Sequence, residues 1–219
     1  MRRKIAGSRL LITGASQGIG RALAEAACRC GGKVLAAARS THLLSDLEKA
    51  MKSAGFALEK VTADITAPTD RENIVAAMRE RFGGLDILIN NAGIGATGHF
   101  VEASPERLRK IMEVNFFGLA EMTRVCLPLL RSGNRPAVVN ISSIAGKRGI
   151  PARSEYSASK FAIQGFTEAL RAGLCVTPTI RPSLLSSIEC RKIAANHPKR
   201  PEPTGAPGFT EVRRQRQPL

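Results

Sequence analysis

Tyr156 and Lys160 stand four residues apart, so on a helix they share one face. A free tyrosine titrates near about pH 10, too high for easy proton exchange at neutral pH. A close lysine ammonium favours the phenolate and lowers that value. Such a pair can give a proton to an oxygen, or take one from it, while a bond to that oxygen changes order. Ser142 and Ser143 lie upstream, and a hydroxyl aimed at an oxygen that gains negative charge stabilises it. Much earlier comes Thr13-Gly14-Ala15-Ser16-Gln17-Gly18-Ile19-Gly20. Glycines there let the backbone turn tightly and approach a pyrophosphate closely, and a helix opened at that point offers free N–H groups and a positive dipole end to the anion.

These residues need elements to hold them. Short apolar runs alternate with helical patterns. Strands are expected at Arg9–Thr13, Lys33–Ala38, Ala57–Thr62, Leu85–Asn90 and Ala137–Ser142. Helices are expected at Gly18–Cys30, Thr41–Ala54, Asp70–Phe82, Pro105–Leu130 and Glu155–Ala172. Gly83-Gly84 is a stop signal, and Ser104 with Pro105 is a start signal. Strand and helix in strict alternation predict an α/β fold, a doubly wound parallel sheet with helices on both faces and right-handed crossovers. The glycine turn then joins the first strand to the first helix, where a Rossmann-like sheet binds a dinucleotide.

Taken together and in order, these segments resemble the short-chain dehydrogenase/reductase family over about residues 8 to 172. The turn has the family's TGxxxGxG form, Asn90-Asn91-Ala92-Gly93 matches its NNAG, and Tyr156-Ser157-Ala158-Ser159-Lys160 matches its YxxxK. The resemblance implies a catalytic set of Asn115, Ser143, Tyr156 and Lys160. Ser143 is preferred to Ser142 because it lies 13 residues before Tyr156, the family's spacing. Asn115 would hold a relay water near Lys160, and Lys160 would also bond the nicotinamide ribose. The implied cofactor contacts are Gly14, Ser16, Gln17, Gly18, Ile19, Gly20, Arg39, Asp64, Asn91, Ala92 and Gly93, with Tyr156 and Lys160. Asp64 stands where members contact adenine.

The second strand ends Ala36-Ala37-Ala38-Arg39-Ser40. An acid there would bond the ribose hydroxyls of NAD, and an arginine accommodates a 2′-phosphate. Arg39, with its planar charged fork, favours NADP(H) over NAD(H). Gln17 stands where many NADP-dependent relatives carry a second basic residue. The implied activity is interconversion of a carbonyl and an alcohol on a small molecule. The stretch from Asn140 to Phe166 resembles branches that reduce lipid-like, steroid or retinoid carbonyls, and also acyl-carrier ketoreductases. The family further implies a homo-oligomer, dimer or tetramer. Met112, Phe116, Phe117 and Met122 fit core or subunit packing better than a cofactor contact.

The 219 residues carry a net charge of +15, with five Cys, one Tyr and no Trp. The charge suits anionic partners but does not choose among them. Few aromatics and no recognised motif argue against a nucleic-acid binder. No apolar run is long enough to span a bilayer. The N-terminus reads as a cytoplasmic start, without a signal peptide. The cysteines read as reduced thiols. His42 and His99 have no partner at ligand spacing, and no metal site is expected.

Near Gly173 the pattern changes. Seven of the twelve prolines follow it. Residues 1–173 are expected to form the Rossmann-type domain, and 174–219 an atypical Pro/Arg-rich tail, poorly ordered. Leu174–Ile180 reads as a degraded edge strand, because Pro178 cannot donate to a ladder. The family's next strand and its Pro-Gly turn are not found there, Pro207-Gly208 lying far downstream. The last strands are therefore read as missing or degraded, from a frameshifted gene end or a divergent tail. The alternative function is a catalytically defective nucleotide-binding remnant or scaffold without a substrate lid.

Overall fold

The computed structural model describes residues 4–175 and 181–185. Five strands alternate with helices as the periodicity predicts: β1 (Arg9–Thr13), β2 (Lys33–Ala38), β3 (Glu59–Thr62), β4 (Ile87–Asn90) and β5 (Ala137–Ile141). A sixth, β6 (Arg181–Leu185), joins them. All pair in parallel, in the order β3-β2-β1-β4-β5-β6. This is the Rossmann order, in which the winding reverses between β1 and β4 and opens a crevice at their C-terminal ends.

Strand side chains alternate between two apolar layers. Leu10, Ile12, Val34, Ala36, Ile87 and Ile89 pack with Leu44, Leu47 and Met51 of α2 (Thr41–Ser53) and Ala24 and Cys28 of α1 (Gly18–Arg29). Leu11, Leu35, Ala37, Leu88 and Val138 face Ile74 and Met78 of α3 (Pro68–Phe82) and Met122, Cys126 and Leu130 of α5 (Gly118–Arg131). That near-continuous run of buried strand residues is what a sheet covered on both faces requires. On the α1 side of β5, Ala137 and Val139 are only half-buried, since no described helix follows α1 and α2 across that end of the sheet.

The long helix expected at Pro105–Leu130 is not continuous. It is α4 (Pro105–Met112), a π-helical turn (Glu113–Phe117) and α5. The Gly118 N–H donates to the Glu113 carbonyl, five residues back. The wider turn accommodates one extra residue, which apolar spacing does not reveal. Of the degraded strand expected at Leu174–Ile180, only Leu174 and Cys175 fall among the described residues, and they belong to a helix, α6 (Ser154–Cys175). Arg181–Leu185 forms a strand at the end of the sheet where the last strands were expected to be missing or degraded. Pro182 is accommodated because β6 is an edge among the described residues. Residues 176–180 and 186–219, including Pro207-Gly208 and most of the expected tail, lie outside the described residues.

Two polar devices hold the middle of the sheet. Asn90 and Asn140 are register partners on β4 and β5. The Asn90 amide donates to Thr123 Oγ1 and to Asn140 Oδ1, both at 2.9 Å, and the Asn140 amide donates to Thr167 Oγ1 at 2.9 Å. Each threonine donates onward to its own helix, Thr123 to the Leu119 carbonyl and Thr167 to that of Ile163. The chain thus ties two strands to α5 and α6. At the opposite end of the strands, Asp86 accepts from the backbone N–H of Arg9, twice from its guanidinium, and from the Asn134 N–H. Burial pushes the Asp86 carboxyl up, but these bonds outweigh it and hold the carboxyl below its usual range.

A depressed carboxylate stabilises the fold above its unfolded pKa, and that contribution is lost as pH falls through the folded value. Asp86→Ala should therefore destabilise by about 3 kcal/mol near neutral pH. Chemical denaturation at pH 7 and again below about pH 4 checks this: the gap between wild type and variant should shrink in acid.

Candidate active site

The crevice at the β1–β4 switch is stitched from both sides. Thr13 ends β1, and its Oγ1 accepts the N–H groups of Asn91 and Ala92, both at 3.1 Å. The Asn91 amide returns two bonds, to the carbonyls of Thr13 (3.0 Å) and Gly14 (3.1 Å). Gly14 has φ +65°, and a Cβ there would lie 2.7 Å from Ala92 Cα. A Cβ on Gly20 would overlap the Gly14 carbonyl and the Asn91 amide. Gly20 was expected to touch cofactor. In the structure it lets α1 press against the turn.

The other expected cofactor contacts outside α6, Gly14, Ser16, Gln17, Gly18, Ile19, Arg39, Asp64, Asn91, Ala92 and Gly93, all line one cleft of about 440 Å³. Gln17 is the N-cap of α1 but makes no side-chain cap bond, and the first turn holds no acid. The helix end therefore keeps unsatisfied N–H groups facing the cleft, as a diphosphate requires. Residues and cradle fit a dinucleotide.

Arg39 stands at the far wall, 63% exposed, with Nη1 3.8 Å from Asp64 Oδ2. That is an ion pair too long for a hydrogen bond. Burial raises the Asp64 carboxyl, but the Thr66 N–H and hydroxyl, and then Arg39, bring it below its usual range. With Thr66 satisfying Asp64, the exposed pair contributes little and Arg39 can turn to another anion at small cost.

The four expected catalytic residues come together where β4, β5, the π turn and α6 meet. Lys160 is buried, its ammonium donating to the Ile141 carbonyl at 3.0 Å and lying 5.7 Å from the centroid of the Tyr156 ring. Burial pushes its pKa down to about 8. Asn115 is fully buried in the π turn. Its Oδ1 accepts the Ile94 N–H at 2.8 Å, and its Nδ2 donates to the Ile94 carbonyl and to Ser159 Oγ, both at 3.0 Å. Ser159 donates to the Tyr156 carbonyl at 2.8 Å. Asn115 therefore joins the segment after β4 to the helix that carries Tyr156.

Ser142 and Ser143 separate by their bonds. The Ser142 hydroxyl donates to the Lys160 carbonyl. Ser143 Oγ accepts the Ala145 N–H at 3.2 Å, which leaves its own proton without an acceptor among the described residues. Thr13 and Ser159 were missed as site residues. Each is a small polar residue inside a matched motif, and the signal was burial, which a motif does not carry.

Other expected features fall elsewhere. His42 Nδ1 lies 3.1 Å from Ser40 Oγ at the surface, and His99 is exposed. Cys28 and Cys126 are buried free thiols, pushed up by burial to about 11 and about 12, and Cys30 is exposed. Met122 is core, Phe116 packs edge-on against Phe166, and Phe117 is exposed. No described helix is long and apolar enough to cross a membrane.

A parallel sheet wound in this order, with a glycine cradle at its switch point, defines a Rossmann-type dinucleotide-binding protein. The family model of the short chain dehydrogenases matches residues 8–181, and the chain belongs to that family. It is 36% identical over 178 residues to dehydrogenase/reductase SDR family member 7B of Bos taurus, covering 78% of this chain and 55% of that protein. It is 37% identical over 161 residues to 3-ketodihydrosphingosine reductase of Bacteroides thetaiotaomicron, covering 74% and 56%. The structure of a short chain dehydrogenase/reductase from Burkholderia phymatum in complex with NAD superimposes with a TM-score of 0.81 at 32% identity, covering 84% of this chain and 66% of that one. The chain spans about half the length of the curated relatives it matches.

Lysine favours its charged form in water, so burying it costs stability below its folded pKa. That cost fades as pH rises from about 8 towards the unfolded value near 10.5. Lys160→Met should therefore stabilise the cofactor-free fold by about 2 kcal/mol at pH 7, after the lost bond to Ile141 is counted. Thermal melts at pH 7 and pH 10 test this: the advantage should shrink at the higher pH.

Proposed function

We propose that the chain is an NADP(H)-dependent oxidoreductase that interconverts a ketone or aldehyde with an alcohol. The observation that carries this reading is the buried Lys160 ammonium beneath the Tyr156 ring, beside a glycine-lined cleft. When bound, the nicotinamide supplies or accepts the hydride. The chain's own residues manage the proton. Tyr156 donates its phenolic proton to the carbonyl oxygen during reduction, or removes the hydroxyl proton during oxidation. Lys160, held in place by the Ile141 carbonyl, favours the phenolate by its charge. Ser143 donates its free O–H to the same substrate oxygen as charge builds there. Asn115 acts by position, because its amide is spent on Ile94 and Ser159.

Cofactor preference is read from Arg39. Its loose pairing and exposure leave it free to take a 2′-phosphate. A relative named as a 3-ketodihydrosphingosine reductase supports a ketone as the group reduced. Exposed Phe117 on the π turn and Phe161 on α6 support assembly of like subunits across that face. The second reading is a protein that binds nucleotide without turning over substrate.

Tyr156→Phe should lower carbonyl-dependent NADPH oxidation by at least about a hundredfold and leave NADPH affinity within about twofold. Steady-state rates and titration calorimetry check it, and retained turnover would remove Tyr156 as the acid. Wild-type binding with no turnover on a broad ketone panel would establish the second reading. Arg39→Asp should move the NADPH-to-NADH affinity ratio by about tenfold or more towards NADH. An unchanged ratio would remove Arg39 as the phosphate contact.

A further inference from the structure

Immediately before Tyr156 stands a buried acid. The Glu155 side chain is 1% exposed. Its Oε1 accepts from Arg107 Nε at 2.9 Å and Nη2 at 2.6 Å, and its Oε2 accepts the Ser154 hydroxyl at 2.8 Å. Arg107 comes from α4, whose first turn Ser104 caps by accepting the Arg107 N–H. The guanidinium also fills the space beside Gly98, where a Cβ would lie 3.1 Å from Nη1, and the Gly98 N–H donates to the Ala152 carbonyl. Arg107 thus sits where α4, the segment after β4 and the start of α6 meet.

A carboxylate suits the first turn of a helix by the helix dipole. It does not suit a neighbour that must itself become an anion. A second negative charge, shielded from water and one residue away, opposes the phenolate. The other charged or titratable side chains on the elements packed here are His99 and Glu102 after β4, Glu106, Arg109 and Lys110 of α4, Glu113 of the π turn, Lys147 and Arg148 beyond the Ile144–Gly146 turn, Arg153 just before α6, and Glu168 and Arg171 farther along it, all exposed. On α6 itself, Lys160 lies under the Tyr156 ring. Arg107 alone among them bonds to Glu155 among the described residues.

We propose that Arg107 is a positioning residue for Tyr156: it clamps the first turn of α6 to α4 and cancels the Glu155 charge that would otherwise resist phenolate formation. This deepens the reading of Tyr156 as the acid–base group and rests on it. Removing the guanidinium leaves the carboxylate unopposed. Removing the carboxylate leaves the guanidinium to assist Lys160.

Tyr156 is the chain's one tyrosine, so its ionisation can be followed alone. The full 219-residue chain, labelled with ¹³Cζ-tyrosine, gives a single resonance to titrate with pH. Arg107→Met should raise the midpoint by about one pH unit. Glu155→Gln should lower it, the double variant should return close to wild type, and Arg107→Lys should recover most of the loss. A clamp without an electrostatic role would not order the midpoints by charge. An unchanged midpoint in Arg107→Met, or a shift of the same sign in Glu155→Gln, overturns the proposal. If Arg107→Met does not fold, Glu155→Gln and the double variant decide, since neither leaves an unpaired acid. Equal midpoints in those two and wild type also overturn it. The titration needs no turnover, so an inactive chain with charge-ordered midpoints would sink the proposed function and leave the role of Arg107 standing.

Discussion

The site depends on the crossed hydrogen bonds between the ends of β1 and β4. One threonine hydroxyl holds two successive N–H groups, and one asparagine amide holds two successive carbonyls. These four bonds satisfy backbone groups just where two parallel strands stop and their connections part in opposite directions. The crevice there would otherwise expose unpaired backbone or collapse. Because the strands are pinned, Gly14 can turn with φ +65°, α1 can press in at Gly20, and the helix end faces the cleft with its N–H groups free. The same segment after β4 continues to Ile94, which Asn115 holds from the other side. The glycine-lined cleft and the Asn115–Ser159 contact with α6 are thus two ends of one bonded strip.

Most of the fold was legible because it rests on strong local signals. Alternating short apolar runs and amphipathic stretches placed β1 and β2 to the residue, and the glycine and proline punctuation marked most helix ends. The site was legible for another reason. Several modest motifs in fixed order constrain one another, so the family resemblance singled out Gly14, Asn91, Tyr156 and Lys160, and the structure places Gly14 and Asn91 on the cleft and Lys160 under the Tyr156 ring. What could not be read was geometry that leaves the hydrophobic pattern unchanged. A π turn adds one backbone bond pattern inside an unbroken apolar face, so Pro105–Leu130 looked like one helix. The close packing of Gly20 on the turn, where a Cβ would overlap the Gly14 carbonyl, is a second demand for glycine that the motif does not show. β6 shows the limit of propensity at an edge, where Pro182 weakens the sequence signal without forbidding pairing.

Stability and site chemistry pull in opposite directions. The Asn90–Asn140 chain and the Asp86 cluster satisfy buried polar atoms and specify register, though Asn90 Oδ1 itself has no partner among the described residues. Lys160 is the reverse case. It is buried with one carbonyl acceptor and no carboxylate within reach among the described residues. A chain selected for stability alone would place an apolar residue there. The fold tolerates the charge because two apolar layers, the Asp86 staple and the asparagine chain hold the surrounding strands whether or not Lys160 contributes.

The π turn has a consequence for how the chain can change over generations. A single residue added to a helix ordinarily rotates everything beyond it by about 100° and scrambles the buried face. Here the wide turn takes up the surplus locally, so α4 and α5 each keep their own face while Asn115 gains an orientation that neither regular helix offers. Loss of any one residue between Glu113 and Phe117 would relax the segment into ordinary helix and could leave the core composition intact. The site is therefore open to disruption by a one-residue deletion in this turn, even one that spares Asn115 itself.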